Sequence, residues 1–202
     1  MDVASLHSRS VAEWVRRLDT VGNRWDEPTP CGAWNVRALV NHVVAEDLWT
    51  VPMMEGATID DVGDRFDGDV LGDDPLATGR AAAEAAVTAT ASAVVAGRVA
   101  HLSFGDTSAE EYAYQLAADH VIHGWDLAVA TGGDPEMDPD LIEALAVWFA
   151  EREDTYRDVG AIADRPDDGA GTGTGAALGD DAQGRLLRAF GREPGWCPPL
   201  TP

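Results

Sequence analysis

Basic residues are scarce in this chain of 202: there are 14 against 36 acidic ones, a formal net charge of −22 at pH 7. Such a surface repels phosphate backbones and anionic headgroups, which argues against nucleic-acid or membrane-surface partners. Cysteine is scarcer still. Cys31 and Cys197 are the only two, too few and too far apart for a disulfide framework, so a reducing cytoplasm is the expected location. No apolar run approaches the roughly 20 residues of a membrane-spanning helix. The start, MDVASLHSRSVAEWVRRLDT, has neither the basic opening nor the apolar block of a signal peptide, and no repeat of useful period is present. Hydrophobic residues nevertheless make up 45% of the chain, enough for one domain with a sizeable core.

Apolar spacing predicts five helices. The first runs from about Leu6 to Val21, with Val11, Val15 and Leu18 on one side. The second starts after Asn35, a potential N-cap, and runs to about Thr50, with Pro52 expected to help stop it. A loop rich in Asp and Gly (55–74) precedes a long alanine-rich helix from Pro75 to Gly97. RVAHLSF (98–104) reads as a short extended piece. Thr107-Ser108-Ala109-Glu110-Glu111 resembles a capping signal for a fourth helix ending near Gly132, and a fifth is expected from Pro139 to Tyr156. The segment GAGTGTG (169–175) has no preceding strand, no P-loop lysine and no suitably placed helix, so it is not expected to bind nucleotides. Ala182 to Phe190 can form a short amphipathic helix. The expected fold class is all-α, an antiparallel four-helix bundle with an additional C-terminal helix and an irregular tail.

One stretch of the fourth helix raises a chemical question. Tyr112, Leu116, Asp119, His123 and Asp126 recur at intervals of three and four and so share one face. If the apolar members face the bundle, a carboxylate and an imidazole do too, and both need partners there. On the second helix, Ala38, His42, Ala45 and Trp49 form a comparable stripe. His42, Asp119 and His123 on facing helices would make a two-histidine, one-carboxylate metal site with coordination positions left open. Spacing alone leaves the alternative standing: an Asp–His pair four apart also serves as a simple hydrogen-bonded pair, and His42 can cap a helix or face solvent. His120 lies about 100° round the helix from Asp119 and is expected off the site. His7 and His101 have no helical partners.

TPCGAWNVRALVNHVVAEDLW and DHVIHGWDLAVATG carry a family resemblance. The first is similar to the second-helix region of DinB-like metal-binding bundles, in particular the actinobacterial group related to mycothiol-dependent maleylpyruvate isomerase. Thr29-Pro30-Cys31, Trp34 and His42 correspond to that group's pattern. The second stretch resembles its other signature, an acidic residue four before a histidine in a His-Gly-Trp-Asp-Leu-Ala context. LGDDAQGRLLRAFGREPGW resembles its C-terminus. The resemblance implies metal-ligand roles for His42, Asp119 and His123. It departs at Asp119, where the isomerase has glutamate, and the separate C-terminal domain of the isomerase is not expected here. Residues 1–160 are then expected to form the metal-binding bundle, with 161–202 a tail packing on the same domain.

The implied cofactor is a divalent metal ion, zinc first, with nickel or another ion fitting the same ligands. Mycothiol is the implied thiol. The expected partners are a small-molecule thiol and an electrophilic substrate, and a homodimer stays open. The leading reading is a thiol-dependent transferase or isomerase; the alternatives are a metal-dependent hydrolase and a non-enzymatic, metal-stabilised stress-response protein. Asp126, three residues after His123, can accept an imidazole N–H or end the helix. Cys31 is expected to serve packing or loop anchoring, and Trp34 and Trp49 to serve as core or pocket walls.

Overall fold

The computed structural model describes residues 1–160, 162–164 and 181–199; GAGTGTG lies outside the described residues. Four long helices build an all-α bundle: α1 (Val3–Leu18), α2 (Val36–Glu55), α4 (Pro75–Val95) and α5 (Ala109–Thr131). A short α3 (Ile59–Val62) sits in the Asp/Gly-rich loop, and α6 (Pro139–Phe149), α7 (Glu153–Asp158) and α8 (Ala182–Ala189) follow the bundle. Each long helix begins on a side-chain cap that satisfies an otherwise orphaned amide. Asp2, Asn35, Asp74 and Ser108 accept from the backbone N–H of Ser5, Ala38, Ala77 and Glu111 respectively.

Several boundaries differ from those the pattern predicts. The Asp2 cap starts α1 at Val3 rather than Leu6, and the helix ends at Leu18 instead of Val21. Pro52 does not stop α2. It removes one backbone donor, yet the helix continues to Glu55 because Met53 and Met54 are both only 1% exposed, and burying each contributes roughly 1.5–3 kcal/mol. Gly56, in the left-handed region at φ 93°, ends it. RVAHLSF is half of an antiparallel hairpin, β1 (Val99–Leu102) with β2 (Gly105–Ser108), in register Val99 to Ser108.

The expected fifth helix breaks after Phe149. Arg152 turns to form a double ion pair with Glu111 on α5 (Nε to Oε1 2.7 Å, Nη2 to Oε2 2.8 Å), and the bend sets Tyr156 edge-on against Phe149.

The core falls into linked clusters. Trp14, Leu18, Val40, Val44 and Leu127 join α1, α2 and α5, while Met53, Met54, Tyr112 and Leu116 join α2 to α5 nearer the hairpin. Trp125, Leu141, Phe149, Leu187 and Phe190 seat α6 and α8 against α5. At Gly79 the helices approach so closely that an added Cβ would lie 2.7 Å from Leu18 Cδ2 and 3.4 Å from Val44 Cγ2. These contacts bring the stripes of α2 and α5 face to face. No helix among the described residues is long and apolar enough to cross a membrane.

Candidate metal centre

The facing stripes meet at three side chains. His42 comes from α2, and Asp119 and His123 from α5, one turn apart. Asp119 Oδ1 lies 3.3 Å from His123 Nε2 and 3.6 Å from His42 Nε2. One ligand atom from each residue falls within 4.8 Å of the other two. His123 is buried, whereas the side chains of His42 and Asp119 keep 29% and 28% of their exposure, so the cluster opens to solvent on one side.

The donor set fits a divalent ion. Ligand atoms about 2.0–2.2 Å from a tetrahedral ion lie about 3.3–3.5 Å from each other, close to the two distances Asp119 makes. Asp119 Oδ2 is out of solvent with no hydrogen-bond partner, a costly state for a carboxylate oxygen that a cation would relieve. Burial alone would raise the Asp119 pKa, but the charge of His123 and the bonds from both histidines outweigh it and hold the carboxyl well below its usual range. Burial likewise pushes His123 down, and the Asp119 charge together with bonds to Asp119, Asp126 and Cys31 carries it well above.

Behind His123 lies a second set of contacts. Asp126 is fully buried, and its Oδ2 is 2.9 Å from His123 Nδ1. Burial raises the Asp126 carboxyl, but the bond from His123 and the Arg192 charge overcome this and lower it. An ionised carboxylate only accepts, so Nδ1 carries the proton and donates it. Nε2 is thereby the nitrogen that faces His42 and Asp119 and would give up its proton to an ion. Arg192 clamps the same carboxylate through Nη2 (2.8 Å) and Nε (3.2 Å). Gly191, at φ 74°, turns the chain after α8 to deliver Arg192; a Cβ there would sit 2.8 Å from Ala163.

Cys31 does more than the sequence reading gave it. It does anchor its loop, its N–H bonding Thr29 Oγ1 at 3.2 Å. Its thiol is also at the site, with Sγ 3.2 Å from Asp126 Oδ2, 3.1 Å from Arg192 Nη2 and 3.9 Å from His123 Nδ1. Distance along the chain concealed this, because the pairing is with α5 and not with His42.

The other candidates separate cleanly. Trp34 tilts over the His42 ring at 4.8 Å and reaches His123 at 5.9 Å, making one wall. Trp49 packs on Phe66 instead. His120 is off the site: its Nε2 meets Asp47 Oδ1 at 3.1 Å and its Nδ1 the Leu116 carbonyl at 2.7 Å, fully buried. His7 packs edge-on to His120, and His101 pairs with exposed Asp106 on the hairpin.

Sequence reasoning missed two residues. Arg192 carries no local signal of its role. Glu46, one turn beyond His42 on α2, was legible from its i+4 spacing; burial and the Asp119 charge raise its carboxyl.

Fold and site together define a class, all-α bundles with an open His–Asp–His cluster between facing helices. The chain belongs to the mycothiol maleylpyruvate isomerase N-terminal domain family, which matches residues 5–128 and so takes in all three cluster residues and Asp126. Two similar relatives, each described as an uncharacterized protein, occur in two strains of Mycobacterium tuberculosis. Each is 29% identical over 152 residues, covering 72% of this chain and 77% of the relative. No solved structure is significantly similar to the chain.

Proposed function

We propose that His42, Asp119 and His123 hold one divalent ion, zinc in the first instance, and that the protein uses it in a thiol-dependent, mycothiol-type transfer or isomerisation. The observation that carries this reading is the meeting of two imidazoles and a carboxylate whose Oδ2 is buried without a partner. When bound, the ion supplies a Lewis acid with an open position, able to lower the pKa of an approaching thiol. The remaining work belongs to the chain. Asp126 keeps a proton on His123 Nδ1, so Nε2 is the nitrogen that would release its proton and coordinate. Trp34 shields one side of His42 from water. The partly exposed side chains of His42 and Asp119 leave an entrance for a small molecule. The chemistry suited to such a site is addition of a thiol across an activated double bond, sulfur to one carbon and the proton to the other. Displacement of a leaving group, which departs with that proton, is the transferase version.

Elemental analysis of the purified protein tests the metal step. Wild type and His120→Ala should each retain one ion per chain, whereas His42→Ala, Asp119→Ala and His123→Ala should lose most of it. Equal retention in every variant overturns the ligand assignment. Thiol titration of the cobalt-substituted protein then tests the open position, with a spectral change expected as sulfur coordinates. An unchanged spectrum at millimolar thiol removes the thiol step and leaves metal-dependent hydrolysis or a structural ion.

A further inference from the structure

His123 stands between two donor sets. Its Nε2 faces Asp119 and His42, and its Nδ1 faces Cys31 and Asp126. The atoms of Cys31, His123 and Asp126 also lie within 4.8 Å of one another, as close a grouping as the first. This second set contains a sulfur, and a thiolate–imidazole–carboxylate set binds soft and borderline divalent ions tightly. By donor chemistry alone it would compete with the first site for the same ion and for the same histidine.

The guanidinium of Arg192 already fills that second set. Its Nη2 contacts both Cys31 Sγ (3.1 Å) and Asp126 Oδ2 (2.8 Å), and Nε holds the other carboxylate oxygen at 3.2 Å. The head is fixed from behind by an N–H donated from Nη1 to the Phe190 carbonyl at 2.9 Å, and the side chain keeps only 14% of its exposure. A guanidinium does not give up its charge at any working pH. It therefore satisfies the buried carboxylate permanently, where a metal would do so only when bound.

We propose that Arg192 is a selector residue: by occupying the Cys31–Asp126 side of His123 with a fixed cation, it blocks a latent thiolate-containing metal site and directs the ion to His42 and Asp119. The inference rests on the metal reading given above. It makes the tail after α8 a determinant of which face of His123 is used, although the tail lies outside the matched 5–128 segment. Removing the guanidinium should open the latent site. An ion entering there coordinates Cys31 as thiolate and His123 through Nδ1, and the thiol proton and the Nδ1 proton both pass to the buffer.

The test uses the full chain in a Cys197→Ser background, which leaves Cys31 as its only thiol. Cobalt(II) is added without any small thiol to the Arg192→Ala and Arg192→Gln variants and to their parent. A near-ultraviolet sulfur-to-cobalt charge-transfer band is expected in both variants and not in the parent. It should disappear when Cys31→Ser is added. Cobalt should also slow alkylation of Cys31 at least tenfold in the variants while leaving the parent's rate unchanged. Far-UV circular dichroism identifies a variant that has not folded; Arg192→Gln, which keeps most of the stem, then carries the decision. Variants that bind cobalt with no sulfur band and no protection of Cys31 overturn the proposal, as does a sulfur band in the parent. A parent that binds no ion refutes the His42 site instead, and the variants' sulfur band still decides the role of Arg192.

Discussion

Replacing Asp126 with asparagine changes the shape of the site little and its charge completely, which makes it an informative perturbation. The carboxylate has no exposure and takes hydrogen bonds from His123 Nδ1 (2.9 Å), Cys31 Sγ (3.2 Å) and Arg192 Nη2 and Nε (2.8 and 3.2 Å). In Asp126→Asn, one acceptor becomes an NH2 pointed at donors, and Arg192 loses its counter-charge. Breaking a buried pair by removing one partner costs about 3–5 kcal/mol. Arg192 keeps its bond to the Phe190 carbonyl and a little exposure, which places the expected loss near the lower end, about 3 kcal/mol. For a chain of this length that corresponds to a fall in Tm of about 6–12 °C. The measurement is urea and thermal unfolding in the presence of chelator, so that bound metal contributes nothing. The same data on Arg192→Gln and the double variant give a coupling of about 1.5 kcal/mol or more if the two side chains act as a pair. A single-variant loss below about 1 kcal/mol, or strict additivity, would refute the account of Asp126 and Arg192 as a buried pair. Metal affinity of the same variant should fall roughly 10–100-fold, since the tautomer of His123 is no longer set.

Three other outcomes are expected. His7 is buried and its pKa is pushed down to about 3, by desolvation first and by the His120 charge second. A group lowered in the folded state is protonated more readily in the unfolded chain, so its stability contribution is present above pH 6.5 and is lost as pH falls towards about 3. His7→Gln should therefore flatten the stability profile by about 2 kcal/mol between pH 7 and pH 5, and chemical denaturation that gives parallel profiles would contradict this. Gly79→Val should destabilise by about 1–3 kcal/mol, because the new side chain is driven into Leu18 and Val44; an unchanged urea midpoint would show that α4 moves away freely. Glu111→Gln removes the charge that holds Arg152 at the break between α6 and α7. With both side chains nearly a third exposed, a loss of no more than about 1 kcal/mol is expected in unfolding experiments.

Much of this protein is legible along the chain because helices are local. The 3.6-residue period placed His42 on one stripe and Asp119, His123 and Asp126 on another, and caps such as Asn35 and Ser108 marked where helices start. Two stripes that each interrupt an apolar face with groups needing partners already imply a meeting point. What the period could not supply was anything that depends on distant chain. Pro52 reads as a stop, and only the burial of Met53 and Met54 carries the helix past it. Arg152 reads as helix, and its pairing with Glu111 on another element bends the chain instead. Cys31 and Arg192 are 161 residues apart, yet their side chains meet at 3.1 Å beside Asp126. Local propensity and periodicity register energies within a few residues. The ion pairs and close contacts around Asp126 exist only after α5, the Cys31 loop and the tail have packed together, so tertiary structure alone decided that Cys31 and Arg192 meet on the Nδ1 side of His123.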